Sequence, residues 1–168
     1  MRLIIGNLFA FVASLLFIYS GILKRKDKIL IAQSFQKALS VISNIVLHGY
    51  SGAIVHAVSF IRNILCYYDK LNIVVKIILT MITLILSFLF NNMGVIGLLP
   101  LFSSLIYLWF MNIKDIIKFK YLMLMTIVLW GIYDFMIQSY TSFVFGIFSF
   151  SATILSIIQI RYKKITSN

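Results

Sequence analysis

The sequence predicts an all-α polytopic membrane protein, a single domain of seven transmembrane helices arranged as a 3+1+3 parallel repeat. Three observations carry that expectation. The chain is 62% hydrophobic and 11% charged, whereas a soluble domain is about half apolar and about a quarter charged. Its mean hydropathy of +1.05 means that one soluble core cannot hide the apolar residues, so lipid must be the main solvent. Apolar runs of spanning length recur along the 168 residues, and the last three echo the first three at an offset of ninety positions.

A spanning helix needs roughly 20 mostly apolar residues. Seven segments qualify: Leu3–Leu23, Ile29–His48, Ser51–Tyr68, Leu71–Phe90, Met93–Met111, Phe119–Ile137 and Tyr140–Ile160. Period-two alternation is absent and the runs are too long for barrel strands, which selects helices. In the first segment the positive charges follow the apolar run, so it reads as an anchor with a basic stop and not as a cleaved signal. The second is interrupted by Gln33, Gln36 and Lys37. Lys37 is expected to snorkel toward the near interface, and the glutamines to face other helices. The third carries His56 and Arg62. The fourth, polar only at Lys76, Thr80, Thr83 and Ser87, reads as a linker helix. The fifth holds the sole proline, Pro100, between Gly97 and Ser103, where either a hinge or a static kink is expected. The sixth contains Asp134, and the seventh runs into the basic tail. The domain therefore divides into repeat 1 (3–70), linker helix (71–90) and repeat 2 (93–161).

The formal net charge is +11. Its basic residues lie between apolar runs, which points to topogenic charge and anionic lipid headgroups and away from nucleic acid. Lys24, Arg25, Lys26 and Lys28 follow the first segment; Arg62, Lys70 and Lys76 surround the third connection; Lys114, Lys118 and Lys120 surround the fifth; Arg161, Lys163 and Lys164 end the chain. The alternate connections "HGYSG", "NNMG" and "IQSYTS" contain no Lys or Arg. By the positive-inside rule this gives an N-terminus outside, a C-terminus inside and an odd number of spans. The single cysteine, Cys66, excludes an intrachain disulfide.

Under the ninety-residue offset, "ASLLFIY" from Ala13 falls on "SSLIYLW" from Ser103, and "SFIRNIL" from Ser59 falls on "SFSATIL" from Ser149. Lys24 and Lys28 fall on Lys114 and Lys118, and Tyr50 falls on Tyr140. An odd linker helix makes the two triple-helix units point the same way, as in transporters whose repeats share an axis along the membrane normal. In such folds the substrate lies between the repeats.

Asp134 is the conspicuous residue. The other three acids, Asp27, Asp69 and Asp115, each adjoin a lysine at a segment end. Asp134 sits inside "LWGIYDFMIQSY", and a carboxylate within a span faces a bundle interior or a watery cavity. Its repeat partner is Asn44, so both are expected near the central axis, with His56, Gln138, Trp130 and Tyr133 completing a candidate substrate-binding pocket. Each also has an ordinary reading as helix glue, packing or interfacial aromatic. Ser59, Arg62 and Asn63 are expected at a cytoplasmic mouth, with Arg62 pairing to Asp69 or a lipid phosphate.

The stretches "GAIVHAVSFIRNILCYY", "LLPLFSSLIYLW", "LWGIYDFM" and "IIQIRYKK" resemble the YgjV-like family of small bacterial inner-membrane proteins. The resemblance covers most of the chain after the first segment. It rests on Ser59 with Arg62, on Leu99-Pro100 followed by Ser103 and Ser104, and on Trp130 with Tyr133. Where the family usually has asparagine after that aromatic pair, this chain has Asp134. The resemblance implies a bacterial inner-membrane location and a distant likeness to the SWEET, PQ-loop and nicotinamide-riboside transporter architecture.

Catalysis is not expected. The chain has no glutamate for a paired-carboxylate site, and its two histidines belong to no metal-ligand cluster. No cofactor is expected, and the partners are membrane lipids and a small-molecule solute. The leading expectation is a small polar solute carrier working by alternating access between the two triple-helix units. The alternative is a non-transporting membrane interaction or scaffold protein.

Overall fold

The computed structural model describes residues 1–166, with side chains described through Tyr162. Lys163 and Lys164, counted above among the tail charges, lie outside the described side chains. The described residues form seven α-helices: α1 (Arg2–Ile22), α2 (Lys26–Val46), α3 (Tyr50–Tyr67), α4 (Ile73–Leu89), α5 (Leu99–Phe110), α6 (Ile116–Met136) and α7 (Tyr140–Thr166). By length and composition α1, α2, α6 and the Tyr140–Tyr162 part of α7 can each cross a membrane. The α3 and α4 helices are shorter, at 18 and 17 residues.

The fifth segment departs from expectation. Its helix covers only Ile96–Phe110, and the Ile96–Leu98 turn of it is 3-10. The cause is local. Gly94 takes φ +58°, Asn91 Oδ1 accepts from the Met93 amide at 3.0 Å, and Asn91 Nδ2 donates to the Gly94 carbonyl at 2.7 Å. These contacts hold a turn where the apolar run suggested helix. Pro100 then lies in the first turn of α5, where a missing N–H removes no intrahelical bond. It starts the helix and does not kink one.

The turns joining α2 to α3 and α6 to α7 are built alike. His48 and Gln138 adopt left-handed φ of 62° and 61°. The next amide reaches back over the helix end, Gly49 to the Asn44 carbonyl at 2.8 Å and Ser139 to the Asp134 carbonyl at 2.9 Å. That geometry satisfies last-turn carbonyls that lipid cannot. The α2 and α6 helices are each 21 residues long and begin at Lys26 and Ile116, ninety positions apart.

The helices close into a ring in chain order, α1–α2–α3–α5–α6–α7 and back to α1, while α4 packs outside against α3 and α5. Exchanging α1–α3 with α5–α7 maps the α1–α7 contact onto the α3–α5 contact. Packing is inverted relative to a soluble bundle. Small side chains such as Gly6, Ala10, Ala13 and Ser14 are buried on α1, while Leu89 and Phe102 face outward. Lipid solvates apolar groups as well as a protein core does, so close backbone approach and polar contacts set the packing. On α4 the buried stripe is Lys76, Leu79, Thr83 and Ser87, spaced at i, i+3, i+7 and i+11 along one helix face.

Candidate functional site

Polar side chains from α1, α2, α3, α5, α6 and α7 converge inside the ring around two small cavities. One, of about 30 Å³, lies between α2, α3, α5 and α6, with Gln33, Lys37, Ser59, Arg62, Ser104 and Tyr107 among its walls. The other, of about 40 Å³, lies nearer α7 and is bounded by Gln36, Lys37, Ser40, His56 and Asp134. Phe17, Lys37 and Trp130 line both, so these three side chains form the septum between them.

Lys37 is the residue the sequence placed wrongly. Expected to reach for the near interface, it stands eleven residues beyond Lys26, or about 16 Å along the helix at 1.5 Å per residue. It points inward, its Nζ 5.1 Å from the Trp130 ring centroid and 6.0 Å from that of Phe17. A signal was present. Gln33, Gln36, Lys37, Ser40 and Asn44 recur at spacings of three and four, which is one face of a helix.

Asp134, His56 and Trp130 come together as expected. The His56 and Trp130 rings stack at 4.1 Å and 12°, which fixes both side chains on the second cavity. Tyr133 meets Trp130 edge-on at 5.8 Å, but its hydroxyl turns away from the cavity. It accepts from the Gly52 amide at 3.0 Å, one of the first-turn donors that α3 leaves without an intrahelical partner. Asn44 lies beside it, Nδ2 donating to the Ser40 carbonyl at 3.1 Å. Asn44 and Tyr133 thus form the α2–α3–α6 packing contact and do not line the second cavity, where Asn44's repeat relation to Asp134 and Tyr133's place beside it in sequence had put them.

Gln138 does not join the pocket. It is exposed at the α6–α7 turn, beside Arg2, His48 and Asn92. Left-handed turn geometry carries it there, and its carbonyl accepts from Asn7 Nδ2 at 3.2 Å.

Ser59, Arg62 and Asn63 are likewise not at a mouth; their exposures are 2%, 3% and 0%. Arg62 does not reach Asp69. Its Nη1 donates to the Ser104 carbonyl and hydroxyl at 3.3 Å each, and Nε and Nη2 donate to Asn63 Oδ1 at 3.3 and 3.2 Å. The guanidinium lies 4.6 Å over the Tyr107 ring, and the Tyr107 hydroxyl donates to Gln33 Oε1 at 2.9 Å. Stacking satisfies the flat face of Arg62, while the hydrogen bonds hold its edge. Among the described residues no carboxylate lies within 4.0 Å of Lys37 or Arg62.

Several polar atoms in and around the cavities lack a protein partner: Gln36 Oε1, His56 Nδ1, Asn63 Nδ2 and Ser103 Oγ. A buried polar group without a hydrogen bond costs roughly 1–3 kcal/mol. Each cavity has room for a few waters, since one needs about 10–15 Å³ of such space. The chemistry on offer is hydrogen bonding and charge pairing to a small polar guest. Among the described residues no three His, Cys, Asp or Glu side chains gather as a metal site would require.

A family model described as Imp-YgjV, bacterial inner membrane protein, matches residues 4–164. No curated protein and no solved structure matches the chain.

Proposed function

Because the chain belongs to the Imp-YgjV family of bacterial inner membrane proteins, we propose that its buried polar column serves passage of a small polar solute through that membrane. One observation carries the reading. Two polar cavities lie side by side inside a helix ring and share Phe17, Lys37 and Trp130 as walls. A helix bundle in lipid gains no packing from turning the half-buried Lys37 and Asp134 and the buried Arg62 toward its interior, and ionisable residues within spans mark solute or ion pathways. The cavities total far less than the 300–1,000 Å³ of a usual ligand site, so a whole solute does not fit in this conformation. The ring must open to admit a solute.

Alternating access between α1–α3 and α5–α7 is the motion we propose. Equal α2 and α6 lengths, the twin turns at His48 and Gln138, and the matching α1–α7 and α3–α5 contacts all support a 3+1+3 repeat. The proposed topology is seven spans, N-terminus out and C-terminus in. Lys26, Lys76 and Lys120 gather at one end of the ring, while Arg2, His48 and Asn92 gather at the other. That separation supports a basic cytoplasmic face.

Purified protein in liposomes, screened for flux of small polar solutes, tests the function. Saturable flux that falls at least tenfold in Lys37→Met is the expected result. Across the panel, flux no greater than in empty liposomes overturns it. A C-terminal reporter active only outside the cytoplasm overturns the topology.

A further inference from the structure

We infer that the cavity between α2, α3 and α5 is an oxyanion site, taking the carboxylate or phosphate group of a small soluble solute. This rests on the carrier reading and narrows its substrate class. The cavity has two basic walls, Lys37 and Arg62, and no acidic one. Asp134 lies in the other cavity, beyond the septum. Arg62 is held by neutral acceptors and by the Tyr107 ring, so its charge is positioned without being neutralised. In a low-dielectric interior an uncompensated charge is strongly unfavourable, and a bound anion removes that cost.

The remaining walls suit the same guest. Ser103 is 1% exposed and its hydroxyl has no protein partner, while Ser59 and Ser104 offer further hydroxyls. An oxyanion accepts several hydrogen bonds at once, and Arg presents a planar fork matched to two of its oxygens. At about 30 Å³ the space fits one such group, with the rest of the solute held only once the ring opens. Lys37, on the septum, faces the anion on one side and Asp134 on the other. It is placed to follow the bound charge between the cavities. Arg62 is 3% exposed and enclosed by protein, which favours a free soluble anion over a phosphate tethered to acyl chains.

The test is binding by full-length protein in phosphatidylcholine nanodiscs. Only two tryptophans are present, so Trp109→Phe leaves Trp130, on the septum, as the reporter of fluorescence. Sodium acetate and sodium phosphate are titrated at constant ionic strength, with acetamide as the uncharged isostere of acetate. Acetate or phosphate is expected to give a saturating change that acetamide does not. Lys37→Met and Arg62→Gln should each raise the apparent Kd at least tenfold, and Lys28→Met, at an exposed position, should leave it unchanged. If Arg62→Gln does not fold, Arg62→Lys keeps the charge without the fork, and an unaltered Kd in it counts against the site. Equal responses to acetate and acetamide, or unaltered acetate binding in Lys37→Met, overturn the proposal. Loss of the acetate response when phosphatidylglycerol replaces part of the phosphatidylcholine assigns the site to lipid headgroups and also overturns it. Acetate binding without flux of any solute leaves the anion site standing and rejects the carrier. Saturable flux of neutral solutes without acetate binding does the reverse.

Discussion

At the scale of single residues, Gly52 shows how closely the helices meet around the site. A β-carbon there would stand 2.6 Å from Tyr133 Cε1 and collide with Asn44 Oδ1. Both neighbours are held, Tyr133 by its bond from the Gly52 amide and Asn44 by its bond to the Ser40 carbonyl. Overpacking a fitted site costs about 1–3 kcal/mol. Gly52→Ala is therefore expected to lower the unfolding temperature in detergent and the yield of monodisperse protein. Gly131→Ala is the comparison, because its β-carbon would meet nothing nearer than Phe143 at 3.9 Å, and alanine is the better helix former by about 1 kcal/mol. Equal stability of the two variants would show that the α3–α6 approach is looser than described. Sequence alone could find Asp134, His56 and Trp130, because each is unusual in an apolar run. It could not tell Asn44 and Tyr133, which pack between helices, from true cavity walls, because Asn44 holds the position equivalent to Asp134 and Tyr133 adjoins Asp134 in sequence. Lys37 was misread for a different reason. Snorkelling depends on depth, and depth is legible only when the helix start is known.

At the scale of elements, part of the positive charge is bound into the fold itself. Lys120 is fully buried and donates to the Gly21 carbonyl in the last turn of α1 at 2.7 Å. Lys76 donates to the Trp109 carbonyl at the end of α5 at 3.2 Å, and Lys26 to the Ile113 carbonyl just beyond it at 3.3 Å. Helix ends leave carbonyls without intrahelical donors, and a cation there also meets the negative end of the helix dipole. A hydrogen bond to a charged group is worth about 1.5–3 kcal/mol. Lys120→Met should lose roughly that much stability by thermal unfolding, while Lys118→Met, at an exposed site, should change it by no more than about 0.5 kcal/mol. Comparable effects at both positions would mean that charge number alone matters at this end. Charge counting predicted which connections are basic. It could not predict that three lysines fold back onto backbone carbonyls at or just beyond the ends of other helices, because those partners lie 33, 87 and 99 residues away.

At the scale of the whole molecule, the ring has two seams where α1–α3 meets α5–α7, and the seam between α1 and α7 is stapled at the end that holds Arg2 and His48. Asn7 donates to the Gln138 carbonyl at 3.2 Å and accepts from the Thr141 amide at 3.1 Å. One asparagine thus supplies a donor to the end of α6 and an acceptor to the start of α7, groups that lipid leaves unsatisfied. If passage requires the two units to part at this end, a covalent tie across the seam must stop it without harming the fold. The Asn7→Cys, Thr141→Cys pair in a Cys66→Ser background supplies such a tie, since a side chain of α1 already reaches the backbone of α7 there. Oxidation in liposomes is expected to cut solute flux at least tenfold, and reduction should restore it. The unfolding temperature should stay level or rise, because a cross-link that leaves native geometry intact restricts the unfolded chain. Because the lost flux returns on reduction, damage to the fold is separated from arrest of a motion. Full flux in completely cross-linked protein would show that this seam stays shut throughout, leaving only the α3–α5 seam, braced from outside by α4, as a route for opening.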